Sequence, residues 1–454
     1  MNYIGIIFGG SNTGTFQFAS KTFVDCKYVY YFENEVNKDT LVLGEVIECL
    51  VKNNFFESPE SIIYYNESID YDRETLFIYT VRKISVLDAK KIIQKVVPAL
   101  PGHKVYCADK DVVSLSYGMA SDGIEIGRFK YMSECKIKIS LDFLCSPHLF
   151  IAGKTGSGKS YFVKKYLSLS DEYFWIFSPT GEYNELYNSN GTVIYKDIVL
   201  KYDTDMISRY VDLNMSEEII LKKVLIAKQG ILSINDIKNA IISFYSEQND
   251  FDNVQLDFFG PRQAGKSGDY FELPRYADSL ISKLNKISNI KFSNDNEYLH
   301  LPQSSCIFDL SKYSQHEQEC IINSFLYRLY RSRDKKIDQN NRKIYIILEE
   351  SHNYVPSVTT SMCKSIVVKL AREGRKLSIS MCFITQRPRQ FDQTALSQSG
   401  SKIVFSMPNS DDIMHILEDN FDKNIVSVIQ NQKMGECIIE CDKFQSPIEC
   451  VINI

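Results

Sequence analysis

Residues 148–165 read His-Leu-Phe-Ile-Ala-Gly-Lys-Thr-Gly-Ser-Gly-Lys-Ser-Tyr-Phe-Val-Lys-Lys and contain the pattern Gly-x-x-x-x-Gly-Lys-Ser between Gly153 and Ser160. The apolar run from Leu149 to Ala152 predicts a strand before this pattern, and residues 161–167 predict a helix after it. Glycines let the backbone fold tightly enough for several N–H groups to converge on phosphates, toward which the helix dipole also points. The stretch therefore predicts a P-loop that binds a nucleoside triphosphate.

The P-loop also predicts which residues contact the nucleotide and its metal. Lys159 adds a positive charge beside the β and γ phosphates, and the Ser160 hydroxyl is expected to bind Mg²⁺. ATP and Mg²⁺ are therefore the expected cofactors. The residues expected to bind ATP are Gly153, Lys154, Thr155, Gly156, Ser157, Gly158, Lys159, Ser160 and Tyr161.

Length and charge limit the classes of protein that remain. A chain of 454 residues with 44% apolar residues predicts two or three domains with ordinary cores. The net charge of −5 argues against a protein coated in basic surface. It does not exclude nucleic acid, because a ring can concentrate positive charge in its channel.

The cysteines and the apolar runs bear on location. The 12 cysteines show no C-x-x-C spacing, so we expect reduced, buried thiols and a cytoplasmic protein. Cys437 and Cys441 share a strand face, but no nearby histidine or second pair supports zinc. The amino terminus lacks the basic flank of a signal peptide, and no apolar run approaches the ~18 residues that a membrane span needs. We expect no membrane association.

Four segments follow one another along the chain. Residues 1–107 contain short β-rich runs separated by turn residues, which predict a small β-barrel. Residues 108–204 are expected to hold the first part of an ATPase core, and residues 301–454 its second part and a tail. Residues 205–300 show helical periodicity and are too long for a simple connection, so they predict a helical insertion.

The fold class expected is α/β, with the parallel sheet of a RecA-like P-loop NTPase, a helical insertion and a preceding β-barrel. Besides the strand before the P-loop, the strands expected in this sheet are Tyr173 to Phe177, Ser305 to Leu310, Ile344 to Leu348, Ser380 to Thr385 and Lys402 to Ser406.

Two acids close a predicted strand in Lys343-Ile-Tyr-Ile-Ile-Leu-Glu-Glu-Ser-His-Asn-Tyr-Val-Pro356. Glu349 is expected near Mg²⁺ and its water shell, and Glu350 where the attacking water would lie. The alternative is an ordinary acidic strand end. His352 follows the pair, and we expect it to pack or to form a hydrogen bond there.

A third cluster contains Leu370-Ala-Arg-Glu-Gly-Arg-Lys-Leu377 and, after a strand, Gln386-Arg-Pro388. Gln386 is expected to sense the γ-phosphate or to orient water. Arg372 or Arg375 is expected to act as an arginine finger on the nucleotide of a neighbouring subunit. The alternative for both is a solvated basic helix face.

Taken in order, the P-loop, the Glu349–Pro356 phrase, the Arg372–Lys376 phrase and Gln386-Arg-Pro388 resemble the HerA family of hexameric DNA-translocating ATPases, within the wider FtsK-like motors. The resemblance covers most of the chain, and the amino-terminal β region is similar to the HAS-barrel domain. It implies that Glu349 supports the metal, Glu350 is the catalytic base, Gln386 is the sensor and Arg375 is the finger that acts in trans.

One position departs from the family pattern. The family usually has an acid before Pro-x-Gly-Glu-Tyr, whereas this chain has Ser178-Pro-Thr-Gly-Glu-Tyr183. The resemblance therefore assigns no role to this position.

A second match to the P-loop pattern, Gly260-Pro-Arg-Gln-Ala-Gly-Lys-Ser267, is followed by Gly268 and Pro274, which disfavour the helix that a phosphate site needs. A surface loop is the simpler interpretation. The alternative is that Arg262 and Lys266 contact a DNA backbone.

The leading hypothesis is a homohexamer that hydrolyses ATP and pulls double-stranded DNA through its channel. The resemblance implies an effector partner, which would be a NurA-like nuclease in DNA end processing, or a nuclease or sirtuin-like NADase in antiphage defence. The composition does not discriminate repair from defence. The alternative is an ATP-regulated oligomeric scaffold that activates an effector with little DNA translocation. A kinase or GTPase is disfavoured, because no guanine-reading Asn-Lys-x-Asp phrase occurs.

Overall fold

The computed structural model describes residues 3–9, 12, 14–36, 38–53, 75–119, 123–139, 147–169, 171–186, 191–201, 203–226, 230–249, 273–293, 301–335, 342–417, 423–441, 444 and 446–452. The second P-loop-like pattern, with Arg262 and Lys266, lies outside these residues and stays a prediction. Two β-structures account for most of the described chain, a barrel near the amino terminus and a large sheet that begins with the hairpin after residue 123.

The first of these is a closed barrel of six antiparallel strands. Its order is β2-β1-β7-β3-β4-β5, and β5 pairs back with β2, while β6 attaches to β5 outside the ring. Buried and less buried residues alternate along β2, as a barrel wall requires. The strands are β1 Gly5–Ile7, β2 Thr15–Ser20, β3 Tyr28–Phe32, β4 Thr40–Asn53, β5 Thr75–Asp88, β6 Lys91–Ile93 and β7 Lys104–Cys107.

The barrel is joined to the rest of the protein by a short helix and a hairpin, which are α1 Lys110–Ser116, β8 Ile124–Phe129 and β9 Met132–Ile139. Aromatic rings from the three parts meet, because Tyr28 of the barrel packs edge-on against Tyr117 and Phe129. The barrel therefore shares a core with the sheet that follows.

The second β-structure is a sheet of 11 strands in the order β12-β16-β11-β17-β18-β10-β19-β20-β21-β8-β9. The first seven strands in this order are parallel, and the last four are antiparallel. Strands not yet given are β10 Leu149–Ala152, β11 Tyr173–Ser178, β12 Val193–Tyr195, β16 Cys306–Asp309, β17 Ile344–Leu348, β18 Ile379–Thr385, β19 Ser401–Phe405, β20 Glu436–Cys441 and β21 Ile448–Ile452.

Helices cover both faces of the parallel part. On one face Phe162 and Val163 of α2 pack against Leu149 and Ile151, and on the other Phe325 of α7 packs against Trp175 and Phe308. The helices are α2 Lys159–Ser168, α7 Gln315–Asp334, α8 Lys364–Glu373, α9 Gln393–Ser397, α10 Ser410–Leu417 and α11 Lys423–Gln430. This architecture confirms the predicted fold class. Among the described ranges, no helix combines the length and the apolar character that crossing a bilayer requires.

Between β12 and β16 lies a small subdomain of helices and short strands. The helices are α3 Thr204–Val211, α4 Met215–Ile226, α5 Ile234–Asn249 and α6 Leu273–Leu284, and the strands are β13 Val199–Lys201, β14 Ile231–Ser233 and β15 Lys291–Ser293. The helical character was predicted, but the three-stranded sheet was not. Strands of three residues are too short to show a twofold alternation in the sequence. The predicted domain limits themselves stay predictions.

The expectation of reduced thiols is wrong at one pair of cysteines. Cys26 and Cys107 form a disulfide, with Cα atoms 6.0 Å apart. The antiparallel pairing of Val29 with Cys107 brings the two segments together, although 81 residues separate the cysteines. The other described cysteines are free thiols, and all of them except Cys49 are buried. Cys437 and Cys441 are among the buried ones.

We predict that removing the disulfide destabilises the barrel. Cys26→Ala should lower the free energy of unfolding by about 2–4 kcal/mol, because the bond restricts the unfolded chain. Thermal unfolding of the wild type with and without a reductant measures this effect. Cys49→Ala, which removes a free thiol on the same barrel, is the control. Equal unfolding temperatures with and without reductant would contradict the prediction.

Candidate nucleotide-binding site

The predicted P-loop connects β10 to α2 at the carboxyl edge of the parallel sheet. Gly153 has a φ of 159°, and a Cβ atom there would lie 2.6 Å from Cβ of Phe405, so no larger residue fits. The N–H of Lys154 donates to the carbonyl of Ser406 at 2.9 Å, and the carbonyl of Ser157 accepts from the N–H of Gly435 at 3.0 Å. Hydrogen bonds to the backbone that follows β19 and to the backbone that precedes β20 thus hold the loop in its cradle shape.

Lys159 begins α2, and its ammonium lies over the loop. Its Nζ donates to the carbonyls of Gly153 at 2.8 Å and Lys154 at 2.9 Å, and the side chain is buried. Burial lowers the pKa of Lys159, while the charges of Glu350, Glu182 and Glu349 act in the opposite direction. The ammonium therefore lies within electrostatic reach of three carboxylates.

Glu349 follows β17 directly and is buried at the same edge. Its Oε2 accepts hydrogen bonds from the Ser178 hydroxyl at 2.8 Å and from the Thr180 hydroxyl at 3.3 Å. Burial raises the pKa of Glu349 to about 7, against the opposing effect of the Ser178 hydrogen bond. The two hydroxyls supply the polar partners that a buried carboxyl needs.

Glu350 has a left-handed backbone conformation, with φ 48° and ψ 44°. Its Oε1 accepts a hydrogen bond from Nε2 of Gln386, and its Oε2 lies 3.4 Å from Nδ1 of His352. Burial raises its pKa, while the Gln386 hydrogen bond and the Lys159 charge oppose this rise. Non-glycine residues adopt this backbone conformation rarely, and those that do are found preferentially at functional sites.

Gln386 connects the acid to the P-loop. It follows β18, which lies between β10 and β17 in the sheet. The hydroxyl of Thr155 donates to Oε1 of Gln386 at 2.5 Å, and Nε2 of Gln386 donates to Glu350. A chain of side-chain hydrogen bonds thus runs from the tip of the P-loop to the predicted base.

Several residues at this site were not among the predicted functional residues. Nδ1 of His352 lies 3.0 Å from the Thr385 hydroxyl, and burial together with the Arg387 charge lowers the pKa of His352 to about 4. The positive charge of Arg387 also acts to lower the pKa of Glu350. The negative charge of Glu182 acts to raise the pKa of both Glu349 and Glu350. The sequence signal for Arg387 was the Gln386-Arg-Pro388 phrase, in which only the glutamine was given a role.

Arg372 and Arg375 lie apart from the P-loop of their own chain. Both precede β18 and are exposed at the amino edge of the sheet, whereas Gln386 lies at the carboxyl edge. The seven residues of β18 separate the two edges by roughly 20 Å at ~3.3 Å per residue. Within the described ranges, neither arginine side chain forms an ion pair or a hydrogen bond.

The donor atoms fit a magnesium ion. Mg²⁺ is usually held by one or two carboxylates, phosphate oxygens and waters rather than by a protein cage. The described residues contain no group of three or more His, Cys, Asp or Glu side chains placed to hold a metal ion. Ser160 at the start of α2 and Glu349 at the end of β17 would supply a hydroxyl and a carboxylate, and the ion would neutralise charge on the phosphates.

Comparisons with known proteins agree with the motifs. Residues 124–329 match the family model described as "Helicase HerA, central domain". The DNA double-strand break repair helicase HerA of Pyrococcus furiosus is 22% identical, over 96% of this chain and 89% of its own length. The helicase of the same name from Sulfurisphaera tokodaii is 24% identical, over 90% of this chain and 85% of its own. The resemblance predicted from the motifs is confirmed.

Among solved structures, VirB4 of Thermoanaerobacter pseudethanolicus is 14% identical and aligns with a TM-score of 0.49 over 74% of this chain and 97% of its own.

We predict that Lys159→Ala weakens ATP binding about 10- to 100-fold, because it removes a charged donor to the phosphates. Titration with a fluorescent ATP analogue measures the dissociation constant. Lys165→Ala removes a lysine six residues further along α2 and serves as the matched control. Equal affinities of wild type and Lys159→Ala would contradict the assignment of the phosphate site.

Proposed function

We propose that this HerA-like P-loop ATPase hydrolyses ATP with Mg²⁺ at the subunit interfaces of a homohexamer and translocates along double-stranded DNA. The observation that carries the proposal is the hydrogen-bonded chain from Thr155 through Gln386 to Glu350. It connects a phosphate-binding loop to a carboxylate, and both are needed for hydrolysis rather than binding alone. The names of the two relatives, both DNA repair helicases, support the choice of DNA.

In this proposal each acid has a separate task. Glu350 takes the proton from the attacking water. Gln386 orients this water and senses the γ-phosphate. Glu349 and Ser160 hold Mg²⁺. Lys159 stabilises the charge that develops on the transferred phosphoryl group.

The position of Arg372 and Arg375 supports hydrolysis between subunits. Both side chains are exposed at the edge of the sheet opposite the P-loop. A guanidinium at that edge can reach a triphosphate only on another copy of the chain. We propose Arg375 as the finger that acts in trans, with Arg372 as the alternative.

The proposal extends to partners and location. An effector, a NurA-like nuclease or a sirtuin-like NADase, would dock on the amino-terminal barrel. Its identity would decide between DNA end processing and antiphage defence. We propose a cytoplasmic location, since the substrate is DNA.

We predict that linear duplex DNA stimulates ATP hydrolysis by the wild type and that Glu350→Gln lowers the rate roughly 10²- to 10⁴-fold, because the amide cannot accept the proton from water. Steady-state ATPase assays with and without DNA, after the mass in solution has been measured, test this. Glu185→Gln changes an exposed glutamate of the same carboxyl edge and should retain activity.

Two outcomes would contradict the proposal. A rate that Glu350→Gln leaves unchanged would remove the base from the mechanism. A hexamer whose ATPase responds to a partner protein but not to DNA would favour the alternative function, an ATP-regulated scaffold.

We predict that Arg375→Ala lowers the ATPase rate about 10³-fold or more, as loss of an arginine finger does. Mixing Arg375→Ala with Lys159→Ala should restore activity. In mixed rings, some interfaces combine an intact P-loop from one variant with an intact arginine from the other. ATPase rates of the separate and mixed variants measure this.

The controls for the mixing experiment lie beside the finger. Lys376→Ala removes the neighbouring exposed cation and should be nearly silent. If ATPase activity is restored by mixing Lys159→Ala with Arg372→Ala but not with Arg375→Ala, then Arg372 is the finger. No restoration by either variant would contradict a finger acting in trans from this edge.

A further inference from the structure

Ser178 occupies the end of β11, next to the strand that carries the acids. The parallel pairing of Phe177 with Leu348 brings Ser178 beside Glu349. Ser178 is fully buried, and its carbonyl accepts the N–H of Leu310 at 2.8 Å. The backbone of Ser178 is therefore fixed by the sheet, which limits the positions that its hydroxyl can take.

Two hydroxyls donate to a single oxygen of Glu349. Ser178 and Thr180 both contact Oε2, at 2.8 Å and 3.3 Å. The N–H of Gly181 donates to Oγ of Ser178 at 3.1 Å, which leaves the serine proton for the carboxylate. Within the described part of the chain, Oε1 of Glu349 accepts no hydrogen bond.

The loop that bears the two hydroxyls is itself anchored. Asp309 at the end of β16 accepts hydrogen bonds from Nδ2 of Asn184 at 3.0 Å and from the Ser311 hydroxyl at 2.7 Å. Gly181 has a φ of 72°, and a Cβ atom there would lie 3.2 Å from Oδ1 of Asp309. The segment from Ser178 to Asn184 is thus pinned at both ends against the sheet.

We propose that Ser178 and Thr180 are positioning residues that hold Glu349 through Oε2, so that Oε1 is presented to the hydrated Mg²⁺ of bound ATP. This inference rests on the proposed function. Neutral donors suit the task, because they bind the carboxylate without adding charge. A carboxylate at position 178 would repel Glu349 across about 3 Å.

The inference is tested by metal binding rather than by turnover. Mn²⁺ serves as the probe, and its dissociation constant from the protein with a non-hydrolysable ATP analogue is measured by electron paramagnetic resonance. We expect Ser178→Ala to weaken Mn²⁺ binding roughly 10-fold, as loss of a residue that orients a metal ligand does. Binding of the analogue in the presence of EDTA should remain within about twofold of wild type, because the phosphate contacts of the P-loop are unchanged.

Two variants at Thr180 test the inference even if Ser178→Ala fails to fold. Thr180 is exposed, so substitutions there should leave the fold intact. Thr180→Val removes the hydroxyl and should weaken Mn²⁺ binding, whereas Thr180→Ser retains the hydroxyl and should match wild type. Equal Mn²⁺ affinity in wild type, Ser178→Ala and Thr180→Val would overturn the positioning role.

Failure of the proposed function has a different signature. A wild type that binds neither the ATP analogue nor Mn²⁺ contradicts the proposed ATPase and the inference with it. A wild type that binds both, with variants that bind Mn²⁺ equally well, contradicts the inference alone.

Discussion

The parallel pairing of β10, β18 and β17 is the constraint on which the candidate site depends. In parallel strands the carboxyl ends meet at one edge, so the P-loop, Gln386 and the acids Glu349 and Glu350 converge there. The order of the strands matters as much as their direction. Because β18 lies between the other two, the Gln386 amide can contact Thr155 on one side and Glu350 on the other.

A second requirement is that buried charges at this edge have partners. Lys159, Glu349 and Glu350 are all removed from water to a large extent, which strengthens their mutual interactions and makes each unpaired group costly. The structure meets this with backbone carbonyls for Lys159, hydroxyls for Glu349 and an amide for Glu350. A preorganised polar site of this kind needs little rearrangement when charge develops on a phosphoryl group.

The two edges of this sheet carry different candidate functional residues and lie far apart. Its carboxyl edge holds the phosphate loop and the acids, and its amino edge exposes Arg372 and Arg375. One chain cannot bring both edges to one nucleotide, but two copies arranged head to tail can. Within one chain, the barrel is attached to this sheet through the aromatic contacts of Tyr28 with Tyr117 and Phe129.

Local patterns in the sequence were sufficient for the P-loop, for the strands that enter the carboxyl edge and for the acids that follow β17. Each of these is encoded by adjacent residues: an apolar run gives the strand, and glycines or acids come directly after it. The β-rich runs of residues 1–107 and the helical periodicity of residues 205–300 are local patterns of the same kind.

Other features depended on which strands become neighbours. The contact between Ser178 and Glu349 joins residues 171 apart, and the disulfide joins cysteines 81 apart. The bridge made by Gln386 and the separation of Arg375 from its own P-loop follow from strand order and direction. No local pattern encodes strand order, because it results from packing apolar faces across the whole chain. Sequence alone therefore determined the chemistry available at the site, and only the tertiary structure decided which groups meet.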